Sequence, residues 1–182
     1  MRIAVIGSGA IGGLVAGYLK LTGADVSLVA RDDSISAINT RGLSISGARG
    51  NFNIKISAGL NLDYQPELII LATKTQDLDA ALAMNLKFLK ATPILTTQNG
   101  VAAEEICARF TPQEYIIPSI VMFGSTYLRP GEIVHNFEGS WIVASDNKFI
   151  TKIKEKLSKI FPIVHVEGIK GMKYIKIFVN AN

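Results

Sequence analysis

The 182-residue sequence predicts an α/β fold in which a mostly parallel sheet carries helices on both faces. Three observations lead there. Short β-rich apolar runs alternate with helical stretches of roughly 10–13 residues as far as Phe110, the pattern of successive βαβ units. One run, Leu68–Thr73, is almost wholly apolar, as a strand buried on both faces must be. A glycine-rich segment, Gly7-Ser8-Gly9-Ala10-Ile11-Gly12, joins the first strand to the first helix.

Taken in order, Ile3–Ile6 reads as a strand, Ala10–Leu21 as a helix and Ala24–Ala30 as the second strand. Residues 32–50 are polar and contain glycine, which suits a short helix and a turn. Phe52–Ser57 alternates with period 2 and predicts a strand with one wet face. After Leu68–Thr73, Asp77 is placed to cap a helix running to Leu89. Pro93–Gln98 is a further strand and Val101–Phe110 a further helix. Beyond Pro112 the pattern changes to consecutive strands, Tyr115–Tyr127, Glu132–Phe137 and Ser140–Ser145, with Arg129-Pro130-Gly131 as the clearest turn. Residues 147–161 form an amphipathic helix with Ile150, Ile153, Leu157 and Ile160 on one side. Ile163–Val166 is the last strand, and the chain is helical from Met172. It stops at Asn182 inside that pattern, with no glycine or proline stop signal.

Composition narrows the function. Hydrophobic residues make up 48%, enough for a large core and incompatible with a disordered chain. Charged residues are 19%, below the ~25% usual for soluble domains, and mean hydropathy is +0.30. That surplus of apolar surface implies a covering partner, of which a homodimer is one form. The single cysteine, Cys107, excludes a disulfide scaffold and cannot make a zinc site alone, so no metal is expected and the cytoplasm is the natural compartment. The net charge of +4 is spread along the chain, which suits small anionic ligands and not nucleic acid. Arg2 followed by the uncharged residues 3–19 has the outline of a secretory signal. Glycines at 7, 9, 12, 13 and 17 make a poor apolar helix, however, and the segment is marginal for a membrane span.

Those glycines fit the G-x-G-x-x-G fingerprint of a Rossmann-type dinucleotide-binding fold. The first glycine permits a tight turn, the second lets the backbone approach a pyrophosphate, and the third allows close helix–strand packing. The helix N-terminus then offers free N–H groups to the phosphates. The second strand ends in Val29-Ala30-Arg31-Asp32-Asp33. Arg31 suits the 2′-phosphate of NADP(H), whereas Asp33 would serve the ribose hydroxyl of NAD. Two loops follow later strands on the same side. Lys74 either points into the crevice or caps its strand, and Asn99 sits in a Gln-Asn-Gly turn. In the final helix Lys173, Lys176 and Asn180 fall at 3- and 4-residue spacing, a polar stripe on an otherwise apolar helix. Such a stripe is solvated, covered by a partner, or lines a site where lysine stabilises a carbonyl oxygen gaining charge.

The ordered set Gly-Ser-Gly-Ala-Ile-Gly-Gly, Val-Ala-Arg, Ala-Thr-Lys-Thr, Thr-Gln-Asn-Gly-Val-x-x-Glu-Glu, Pro-Gly-Glu-Ile-Val-His and Tyr-Ile-Lys-Ile-Phe-Val-Asn-Ala-Asn resembles the ketopantoate reductases. The resemblance implies NADPH-dependent reduction of 2-dehydropantoate to (R)-pantoate, on the way to pantothenate and coenzyme A. By matching position it makes Lys176 catalytic. Gly7, Ser8, Gly9, Ala10, Ile11 and Gly12 become the pyrophosphate loop and Arg31 the 2′-phosphate ligand. It brings Lys74 and Ser125 to the cofactor, Asn99 to cofactor and substrate, and Asn180 to the substrate. Tyr174 stands where the family usually has Trp. The family continues into an all-helical second domain, of which residues 168–182 would be the start and residues 1–167 the cofactor domain before it. On that expectation the chain alone binds NADPH weakly and turns over little. Two alternatives are a reductase of another 2-oxo acid and a non-catalytic NADP-binding fragment.

Overall fold

The structure, a computed structural model, describes residues 1–180, with side chains as far as Ile177. In chain order the elements are β1 (Arg2–Ile6), α1 (Ala10–Leu21), β2 (Asp25–Val29), α2 (Asp32–Arg41), β3 (Leu43–Gly47), β4 (Phe52–Ile54), β5 (Ser57–Gly59), β6 (Leu68–Leu71), α3 (Leu78–Met84), β7 (Ile94–Thr96), α4 (Ala102–Cys107), β8 (Ile116–Ile117), β9 (Ser119–Val121), β10 (Gly124–Arg129), β11 (Glu132–Phe137), β12 (Trp141–Ala144), α5 (Ile150–Leu157), β13 (Ile163–Val166) and α6 (Ile169–Asn180).

The main sheet is parallel throughout, in the order β5-β2-β1-β6-β7-β8. Counting only its own strands along the chain, that is 3-2-1-4-5-6, the doubly wound order of dinucleotide-binding folds, with its switch point between β1 and β6. Alternation along β1 feeds two cores. Ile3 and Val5 pack with Leu14, Leu28, Ile70 and Leu95 on one face. Ala4 and Ile6 pack with Ile69, Leu71, Leu82, Leu89 and Cys107 on the other. A strand covered on both sides has no position for a polar residue, which is why β1 and β6 are apolar runs.

Helix α1 lies between this sheet and a second one, ordered β10-β11-β3-β4. A Cβ at Gly13 would overlap Ile133 Cδ1, and one at Gly17 would overlap Ile45 Cδ1. Between Gly12 and Leu19 the helix is therefore without charge because it is covered all round. The signal-like stretch at residues 3–19 is β1 plus α1, and among the described residues no helix is long and apolar enough to cross a membrane.

Several boundaries differ from the sequence reading. Residues 32–50 hold a strand, β3, as well as a helix; its Leu43 and Ile45 are fully buried and alternate with Ser44 and Ser46. The run Phe52–Ser57 is split, because β4 pairs with β3 while β5 crosses to the edge of the main sheet. The helix expected to reach Leu89 ends at Met84, where the buried Asn85 turns its side chain to the Ala81 carbonyl and the Leu62 amide. The expected strand Tyr115–Tyr127 is three strands in three sheets. Pro118, which has no N–H to give a ladder, separates β8 in the main sheet from β9 in a β13-β12-β9 sheet. Helix α6 starts at Ile169, just after Gly168 at φ +64°, earlier than Met172.

Candidate active site

Parallel strands end on one side, and main-chain hydrogen bonds hold the segments that leave them in a row. Ala30 N–H donates to Gly59, Gly7 to Val29, Ala72 to Ile6 and Thr97 to Leu71. The first loop is shaped by what its glycines lack. Gly7 has φ +109°, and a Cβ there would stand 2.8 Å from the Ala72 carbonyl carbon and the Thr73 nitrogen. A Cβ on Gly12 would overlap the Gly7 carbonyl oxygen and approach Ala72 Cβ to 2.9 Å. Gly9 differs, since a Cβ there would meet nothing within 4 Å. The loop is thus packed hard against the β6 end at Gly7 and Gly12 and faces open space at Gly9. Gly9 is also the N-cap of α1, with no side chain bonding its first amides. Ser8, Ala10 and Ile11 are partly exposed beside it. Free amides and the positive end of a 12-residue helix are left facing outward.

The neighbouring loops supply side chains. Arg31 is exposed at the N-terminus of α2 and makes no ion pair among the described residues. The alternative ribose ligand, Asp33, accepts the Ser34 amide at 2.7 Å and so serves its own helix. Lys74 is exposed after β6, and Asn99 is exposed after β7. Between them sits a residue that sequence reasoning passed over. Gln98 is buried, and its Nε2 donates to the carbonyls of Leu71 (3.0 Å) and Thr73 (2.8 Å), clamping the two loops together. Its signal was an amide side chain directly after a buried strand. Two hydroxyl oxygens, Thr73 Oγ1 beside the glycine loop and Ser125 Oγ on β10, are buried without a hydrogen-bond partner among the described residues. An unmet buried hydroxyl costs about 1–3 kcal/mol, and such groups occur where a ligand or water completes the pairing. The donor-rich loop, the open Gly9 face and these orphaned hydroxyls fit a dinucleotide.

Helix α6 meets the same end of the sheet from the β9 side. Lys176 is half-buried, and its Nζ donates to the Val121 carbonyl at 2.5 Å. Burial, aided by the nearby Lys173 charge, holds its pKa below the ordinary lysine value. Two residues before Val121, Ser119 Oγ donates to the Thr96 carbonyl, which fixes β9 to the end of β7. Lys173 is not on a solvated stripe. Its side chain is 1% exposed and forms an ion pair with Glu104 Oε1 at 2.5 Å, an oxygen that also accepts from Thr96 Oγ1. The Asn180 side chain lies outside the described residues. A cavity of about 680 Å³ lies between α4 and the start of α6, walled by Val101, Glu104, Glu105, Ile116, Lys170 and Lys173.

A family model for ketopantoate reductase PanE/ApbA matches residues 3–148. The 2-dehydropantoate 2-reductase of Pyrococcus horikoshii is 34% identical over 187 residues, covering 100% of this chain and 61% of that protein. Among solved structures, D-mandelate dehydrogenase with NADH and anilino(oxo)acetate superposes with a TM-score of 0.92 at 28% identity, covering 99% of this chain and 61% of the other. The 2-dehydropantoate 2-reductase from Geobacter metallireducens gives a TM-score of 0.89 at 25% identity, covering 99% and 62%. The chain therefore spans 61% of the length of the Pyrococcus relative. Doubly wound order, glycine loop and matched sequence agree, and the chain belongs to the ketopantoate reductase family.

Proposed function

We propose that the protein reduces 2-dehydropantoate to (R)-pantoate with NADPH, in the cytoplasm, and that residues 1–167 form its NADP-binding part. In this reading residues 168–182 begin a second part that completes the cleft, within the length its relatives have beyond the matched region. The observation that carries the proposal is the pairing at one sheet end of an open Gly9 face with the half-buried Lys176 ammonium. NADPH rather than NADH is supported by Arg31, which is exposed at the β2 end and makes no ion pair among the described residues, while Asp33 is turned to its own helix.

When bound, NADPH supplies the hydride that reduces the C2 keto carbon. The protein's work is to bind, orient and protonate. The Gly7–Gly12 amides would hold the pyrophosphate, Arg31 would take the 2′-phosphate, and Lys74 would approach the cofactor. Ser125 Oγ, buried without a hydrogen-bond partner among the described residues, would gain one. Asn99 and Asn180 orient the 2-oxo acid. Lys176 keeps one N–H on Val121 and turns another to the keto oxygen, giving it a proton as the alkoxide forms. A lysine whose charge is partly desolvated gives up its proton more readily than a free one, which suits that task. Cys107 takes no part, because burial pushes its thiol up to about 12.

A second reading, a reductase of another 2-oxo acid, is favoured by the likeness to D-mandelate dehydrogenase. The test is nicotinamide absorbance loss by the natural-length protein with 2-dehydropantoate or phenylglyoxylate, each with NADPH and NADH. The highest kcat/KM is expected for 2-dehydropantoate with NADPH. Preference for phenylglyoxylate would transfer the assignment to the second reading, and reduction of no 2-oxo acid would sink both. Residues 1–182 alone are expected to bind NADPH and turn over little.

A further inference from the structure

Glu104 belongs to none of the loops that would touch cofactor or substrate, yet it joins two of the elements that do. It lies on α4, directly after the Gln98-Asn99-Gly100 turn. Its Oε1 accepts Thr96 Oγ1 from the end of β7 and pairs with Lys173 Nζ from α6, each at 2.5 Å. The side chains are 14% and 1% exposed, so the pair is shielded from screening, and either charge left alone would be costly. Lys173 is one helical turn before Lys176, so both point to the same side of α6. The contact spans 69 positions of chain and is, among the described residues, the one ion pair with neither side chain more than 14% exposed.

We propose that Glu104 is a positioning residue for the Lys176 ammonium, pinning α6 to the β7 end so that Lys176 and Asn99 face one substrate. The proposal rests on the assignment of Lys176 to the keto oxygen. Thr96 sets the direction of the carboxylate and Lys173 transmits it one turn along the helix. Neither touches the dinucleotide loop, so binding of NADPH is independent of the link.

The test is a double-mutant cycle in the natural-length protein. Glu104→Gln is expected to lower kcat at least ~10-fold with KM for NADPH within ~2-fold, and to have under ~2-fold further effect in a Lys176→Ala background. Glu104→Asp keeps the charge but is too short to reach both partners, and is expected to lose activity in part. If Glu104→Gln leaves Lys173 so exposed to desolvation that folding fails, the double variant Glu104→Gln/Lys173→Met removes both charges. It is expected to fold, bind NADPH and show the same loss of kcat. An equal loss in both Lys176 backgrounds, or wild-type kcat in the double variant, would overturn the proposal. If the wild type reduces no 2-oxo acid, the functional reading fails, and the positioning is still decided by the ¹⁵N resonance of the Lys176 amine. A resonance that moves in Glu104→Asp, which keeps both charges of the pair, supports the link, and one that stays in place overturns it.

Discussion

At the Gly7–Gly12 turn the contacts that shape the site run between main-chain atoms of β1, β6 and α1. In α6 they start from side-chain ends, Lys173 reaching the Glu104 carboxylate and Lys176 the Val121 carbonyl, across 69 and 55 positions of chain. The first region works by what is missing, since each crowded glycine is a place where a methyl group cannot go. The second works by what reaches across. A backbone-built site tolerates side-chain loss and fails on addition, whereas a site built by long side chains does the reverse. The proposed division of labour follows this split: the anion of a large cofactor is held by a rigid edge, and proton delivery falls to a helix placed by ion pairing.

The strongest attack on the backbone-built half is Gly12→Val. Its Cβ would lie on the Gly7 carbonyl, which is main chain and cannot swing aside. We expect a loss of about 3 kcal/mol in denaturant unfolding and no measurable NADPH binding by fluorescence titration. Gly9→Ala is the paired control. With φ −70° and nothing within 4 Å of the new Cβ, its stability should stay within ~0.5 kcal/mol of wild type, while NADPH binding weakens. Equal destabilisation by both would show that open space at Gly9 is not the distinguishing feature. On the side-chain-built half, Lys176→Ala should lower kcat by roughly 10²–10⁴ without changing NADPH affinity. Burial disfavours the charged amine, so in wild type the protonated form is lost as pH rises through a value below the ordinary ~10.4. A kcat profile whose basic limb lies at or above that value would remove Lys176 as the proton donor.

The same split governs what could be read in the sequence. The parallel sheet, α1 and the glycine loop were legible because their determinants are local: period, composition and a fixed glycine spacing inside one strand–turn–helix. The breaks at Asn85 and Pro118 were not, because each depends on where a distant element offers a hydrogen bond or an edge. The stripe of Lys173 and Lys176 was visible, but its spacing is the same for a solvated face as for a buried one. Only Glu104, far off in sequence, decides that Lys173 is inside. Gln98 was hidden differently, overshadowed by the more exposed Asn99 beside it.

Arg31→Ala sharpens the comparison from within, since Arg31, with Lys74, is a charged side chain in an edge otherwise made mostly of backbone. A charge-assisted hydrogen bond is worth about 1.5–3 kcal/mol, so NADPH affinity should fall ~10–100-fold. NADH affinity, measured by the same titration, should change less than ~2-fold. A parallel loss of both cofactors would place Arg31 on the pyrophosphate instead of the 2′-phosphate.

The smallest effect expected lies beneath the backbone-built half. His135 on β11 is buried against α1, with Nδ1 2.8 Å from Tyr18 Oη and Nε2 3.0 Å from the Phe137 carbonyl. A carbonyl only accepts, so Nε2 carries the hydrogen, Nδ1 accepts from the Tyr18 hydroxyl, and the neutral ring is fully paired. Burial holds the pKa of the ring below the usual value, against the pull of Glu138 at 4.0 Å, which Arg49 already occupies. In the unfolded chain the ring titrates near ~6.5, so below that pH the unfolded state takes up protons that the folded state resists. The stability His135 contributes is therefore present above about pH 6.5 and lost as the pH falls toward the lower folded value. A decline in Tm is expected as the pH falls below about 6.5, and His135→Gln should flatten it. Because the ring holds β11 to the helix that carries the glycine loop, NADPH affinity should weaken over the same interval. A variant with an unchanged acid limb would remove His135 as the source of the decline and free the cofactor edge from any dependence on it; carboxylates such as Glu67, held at about 2 by Lys152 and the Arg2 amide, lose their contribution only below the unfolded value near ~4.3.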